Sequence, residues 1–155
     1  EQMLNVVAKR MKLPNKLADY IKKLTLLHLR PIALVKSEVT DSAVRRLMVA
    51  AGDDLDDLMD LCRADITTKN PSRVKRYLNN FKIVEEKITN VMGKDAMKNF
   101  QSPVRGQEIM DICGLSEGRK VGKIKEAIEE AILDGKIEYT YDAAKQYLLK
   151  IKNNY

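Results

Sequence analysis

Apolar residues recur along this chain at intervals of three and four, and no strand-like alternation persists for long. That spacing predicts an all-α fold of about eight helices with no substantial sheet. The first helix is expected to run to about Lys12, where Leu13-Pro14-Asn15 breaks it. A second covers Lys16 to about Leu29 and stops before Pro31, because proline disfavours helical geometry in the residue before it. Ile32 to Val39 reads as a connector. Thr40 or Asp41 then caps a helix through Ala51 that Gly52 ends. Asp53 and Asp54 open the next, which is expected to bury Leu55, Leu58, Met59, Leu61 and Cys62 and to end near Thr67.

Asn70-Pro71 pairs a capping side chain with proline at the first helical position, a strong start signal. The helix that follows carries Val74, Tyr77, Leu78, Phe81, Val84, Ile88 and Val91 as one apolar stripe. It is expected to stop at Gly93, with a short helical turn leading to Gln101-Ser102-Pro103. That Ser-Pro junction divides the chain into regions 1–100 and 101–155. In the second region a short helix (Gln107 to Cys113) precedes a Gly114-to-Gly118 turn. A longer helix then runs to Asp134-Gly135, and a last one starts near Tyr141.

Composition adds limits more than identity. The chain has 155 residues, 45% apolar and 32% charged, without tryptophan, an ordinary balance for a soluble domain. No apolar run reaches membrane-span length, so no membrane partner is expected. Glu1-Gln2-Met3-Leu4 already read as the middle of a helix, which predicts a piece of a longer protein. Cys62 and Cys113 lie far apart among apolar residues and lack neighbours at metal-ligand spacing. They read as free thiols of a cytoplasmic protein.

The net charge of +6 matters less than its placement. Lys69 to Lys98 is strongly basic, Asp53 to Asp65 strongly acidic, and Arg119 to Lys125 carries four cations and no anion. Such segregation points to one surface that faces a polyanion and another that repels it. The sharpest local feature is the run from Gly114 to Lys123. Arg119, Lys120 and Lys123 fall at the start of a helix, where cations oppose the macrodipole at roughly 0.3–1 kcal/mol each. An anion would supply the missing negative charge. Free N–H groups, close approach at Gly118 and Gly122, and the Arg119 and Lys123 side chains would together cradle a phosphate. The alternative is a tight helical turn whose glycines serve only as cap and packing point.

On the long helix, Arg73, Arg76, Asn80 and Lys87 share a narrow stripe that could follow a nucleic-acid backbone, or could be a solvated face. The acidic run Asp53, Asp54, Asp56, Asp57 and Asp60 could bind magnesium, yet acids at a helix start are favoured without any metal. His28 is the only histidine, so a histidine-based catalytic site lacks its partners.

Two sets of residues resemble a known family. Leu27-His28-Leu29-Arg30-Pro31, then Asp41-Ser42-Ala43-Val44-Arg45-Arg46-Leu47, then Asp57-Leu58-Met59 with Ala64-Asp65, resembles the later half of an HD-type domain. The HD-type domain in question is that of bacterial tRNA nucleotidyltransferases. Gly106-Gln107-Glu108-Ile109-Met110, Gly114-Leu115, Gly118-Arg119-Lys120-Val121-Gly122 and Glu130-Ala131-Ile132-Leu133-Asp134-Gly135 are similar to the tail of the same family. The resemblance implies helical neck, body and tail segments that hold tRNA for a catalytic head. The head, with its magnesium and its CTP and ATP, matches nothing in this chain. His28 and Asp41 would correspond to later positions of the HD metal set, whose earlier histidine and His-Asp pair this chain lacks.

The expected function is therefore the tRNA-binding C-terminal part of an enzyme that adds CCA to tRNA 3′ ends. The resemblance makes the parent a transferase, while this chain is expected to have no catalytic residue, no bound cofactor and no activity alone. CCA-adding and poly(A)-adding members share the tail. An HD-type phosphohydrolase remnant and a non-catalytic helical interaction module are the alternatives.

Overall fold

A computed structural model describes residues 2–36, 40–91 and 100–155 of the chain. Among these residues there are nine α-helices and no strand, so the fold is all-α. The chain divides into two compact units, Glu1–Asn99 and Phe100–Tyr155.

The first unit contains α1 (Gln2–Arg10), α2 (Asn15–Leu27), α3 (Leu29–Lys36), α4 (Asp41–Ala51), α5 (Leu55–Ala64) and α6 (Pro71–Val91). Its core is built on helical spacing. Val44, Leu47, Met48 and Ala51 of α4 meet Leu55, Leu58, Met59 and Cys62 of α5 and Phe81, Val84 and Ile88 of α6, all buried. Each large side chain buried there contributes roughly 1.5–3 kcal/mol relative to exposure. The caps are local. Thr40 Oγ1 accepts from Ala43 N–H at 3.3 Å, and Asn70 Oδ1 accepts from Ser72 N–H at 3.0 Å. Gly52 ends α4 at φ 58.

Three expectations fail here. Ile32 to Lys36 is helical, not a connector, because α2 ends at Leu27 and α3 begins at Leu29. Pro31 then falls in the first turn of α3, where its missing N–H would have had no intrahelical partner, and it is fully buried. Leu61 and Leu78, expected in the core, are 37% and 41% exposed; each sits at the edge of its helix's apolar arc. Helix α5 closes at Ala64, not near Thr67. The expected stop at Gly93 and the helical turn after it lie outside the described residues.

The second unit contains α7 (Gly106–Cys113), α8 (Arg119–Leu133) and α9 (Tyr141–Ile151). Val104, Ile109, Val121, Ile124, Ile128, Ile132, Ala144 and Leu148 form its own core. The segment leading in is pinned to this core. Ser102 N–H donates to Glu129 at 3.0 Å, its hydroxyl donates to the Val104 carbonyl at 2.9 Å, and Tyr139 donates to the Gln101 carbonyl at 3.1 Å. In the first turn of α7, Tyr141 donates to Glu108 and Lys145 lies 3.9 Å from the same carboxylate. These contacts tie α9 to α7.

Candidate nucleic-acid interface

Between α7 and α8 the chain turns in five residues. Gly114 closes α7 in the left-handed region at φ 64, where a Cβ would cost roughly 1–2 kcal/mol. Leu115 N–H follows by donating to the Met110 carbonyl at 3.0 Å, which anchors the turn against the unit's core. Gly118 takes the position before α8 in extended backbone and offers no side-chain cap. The first N–H groups of α8 therefore point outward without an intrahelical acceptor.

Around them stand Arg119, Lys120 and Lys123, all exposed, none in an ion pair among the described residues. The first turn of α8 holds no acid and the last turn no base. Glu126, Glu129 and Glu130 populate the C-terminal half, so the whole helix carries its charges against its dipole. A Cβ on Gly118 or Gly122 would meet nothing within 4 Å. The packing explanation for these two glycines therefore fails; only Gly114 is needed by the turn itself. An exposed mid-helix glycine costs roughly 0.5–1 kcal/mol relative to alanine. What Gly118 and Gly122 leave is open space beside unpaired N–H groups and three cations. That arrangement can accept an anionic group such as a phosphate.

On α6 the expected stripe is only partly realised. Arg73 and Arg76 are exposed, and Arg76 lies over the Tyr77 ring, 5.4 Å from its centroid. Lys87 instead reaches Asp41 at 3.9 Å, and Asn80 turns toward a cavity beside Tyr77 and Phe81. A second basic face lies within the Lys69–Lys98 stretch expected to be basic, though its lysines were not singled out. Lys69, Lys75, Arg76 and Lys82 line one shallow surface with Leu78 and Asn79, and these four cations form no ion pair among the described residues. Lys75, Asn79 and Lys82 are spaced at four and three, which puts them on one side of the helix.

Three carboxylates of the acidic run are held by neighbouring cations and a phenol. Asp54 pairs with Lys23 at 2.6 Å, Asp60 with Arg63, and Asp57 accepts from the Tyr20 hydroxyl at 2.9 Å, which raises the phenol above its ordinary range. His28 closes α2, with Nδ1 2.6 Å from the Thr25 carbonyl, while Asp41 opens α4 beside Lys87. No group of three His, Cys, Asp or Glu side chains suited to a metal ion occurs among the described residues. Both cysteines are free thiols. Cys62 is buried and its Sγ donates to the His28 carbonyl at 3.0 Å; burial first, then the Asp65 charge, pushes its thiol up to about 11. No described helix is long and apolar enough to cross a membrane. No known protein family, curated protein or solved structure matches the chain.

Proposed function

We propose that this chain binds the phosphate backbone of RNA, and that it is the tRNA-holding C-terminal part of a tRNA nucleotidyltransferase. The observation that carries the reading is α8, which begins with three unpaired cations, uncapped N–H groups and two glycines that no packing requires. A folded chain keeps such a dipole-opposed turn at a cost, and a phosphate at the helix start would offset it. The unpaired basic face of α6 supplies a second backbone contact. Recognition through phosphates and shape suits a protein that must accept every tRNA. The family part of the proposal rests on the resemblance of the Gly106–Gly135 segments and of the Leu27–Asp65 runs. In that setting the chemistry belongs to a separate catalytic head.

The test is binding of tRNA to the chain and to the Arg119→Glu/Lys123→Glu variant at low salt, with folding followed by circular dichroism. The expected result is binding by the parent chain and a loss of tenfold or more in a variant that stays folded. Equal affinity would remove the turn from the interface. A different observation favours an interaction module: α1 buries no residue, and Met3, Val6 and Met11 are 81%, 66% and 66% exposed. That reading expects no tRNA binding even at low salt.

A further inference from the structure

Helix α3, the end of α5, the segment that follows it and the middle of α6 line an open cavity of about 290 Å³. One part of its wall is apolar, with Ile32 and Phe81. The other part is polar. Asp65, Thr67, Tyr77 and Asn80 line it, and their side chains make no hydrogen bond among the described residues, which leaves them open to a ligand. Apolar walls with a few convergent polar groups are the usual build of a small-ligand site, and the volume lies near the lower end of the roughly 300–1,000 Å³ such sites span. There is room for one flat ring system.

We infer that this cavity takes a single unpaired nucleobase of an RNA strand whose backbone lies along the basic face of α6. This inference rests on the RNA-binding reading above. The chemistry of the wall matches a base. Tyr77 offers an aromatic surface for stacking. Asn80 offers a donor and an acceptor on one amide, and Asp65 accepts from an exocyclic amino group. A strand, as opposed to a free nucleotide, is indicated by what adjoins the cavity. Arg76 covers the ring of Tyr77 and also belongs to the basic surface with Lys69, Lys75 and Lys82. One residue thus joins the place for phosphates to the place for a base. Cys62 also lines the cavity, but its hydrogen bond to His28 leaves it a packing group.

The experiment measures affinity of the full chain for three probes: a short single-stranded RNA, a ribose–phosphate chain of equal length without bases, and nucleoside monophosphates. Asn80→Ala and Tyr77→Leu are compared with the parent chain; Asn80 is half-exposed, so its variant keeps the test valid if Tyr77→Leu fails to fold. The expected result is that the RNA binds more tightly than the baseless chain and the monophosphates. Asn80→Ala and Tyr77→Leu each weaken the RNA about tenfold, and Asn80→Ala leaves the baseless chain unchanged. Equal binding of RNA and baseless chain, or RNA affinity unmoved by both variants, overturns the base pocket while the backbone reading stands. Tightest binding of a monophosphate also overturns it, in favour of a free nucleotide. Failure of every probe and of tRNA at low salt overturns both.

Discussion

Single residues fix the ends of the helices: Thr40 and Asn70 cap α4 and α6, and Gly114 closes α7 in the left-handed region. Thr40, Asn70 and Gly114 act within four residues of themselves, so their caps could be read from sequence alone. Pro31 could not, because whether a proline stops a helix or sits in its first turn depends on where the preceding helix ends. Leu61 and Leu78 carried the right period, yet exposure at the edge of an apolar arc is decided by the neighbouring helix. Cys62 gains a property that only tertiary structure can confer. Its burial raises the thiol to about 11 from an ordinary value near 9.0, so at pH 8 it should resist iodoacetamide in the folded chain while half-buried Cys113 reacts first. Mass spectrometry of the alkylated peptides reads this directly; equal rates would contradict it. The linkage has one sign. The fold holds this proton more tightly than the unfolded chain does, so the stability it contributes is present below pH 9 and lost as pH rises toward 11.

At the scale of the element, α8 conflicts with its own dipole. Cations occupy its first turns and acids its C-terminal half, and the Lys125–Glu129 pair at 3.8 Å runs in the less favourable order along the helix. Helix α5 is ordinary by comparison, with Asp56 and Asp57 in its first turn and Arg63 in its last. Replacing Arg119, in the first turn, by glutamate should therefore stabilise the second unit by roughly 0.3–1 kcal/mol, with Lys123, one turn further in, adding little. A thermal midpoint a few degrees higher is expected. Calorimetry of the double variant checks it, and an unchanged or lower midpoint would show that these cations are structurally favourable where they stand. Better stability with poorer RNA binding is the signature of a turn kept for its ligand. The charge conflict was visible in the sequence because it is confined to one helix. The α6 cavity was not, because Ile32, Cys62 and Asn80 come together only when three helices pack.

For the whole molecule, the two units each have a core and each carry one basic feature, the α6 face in Glu1–Asn99 and the α8 turn in Phe100–Tyr155. A net charge of +6 alone would attract any polyanion weakly. The claim made for this chain is narrower, that specific unpaired cations meet phosphates. It is tested most directly by the salt dependence of tRNA affinity, since each phosphate neutralised releases counterions and steepens the slope of log affinity against log salt. The parent chain is expected to show a steep slope, and Arg119→Glu/Lys123→Glu to lower it by about 2, roughly one per lost contact. The same slope and the same affinity in both proteins would contradict the account.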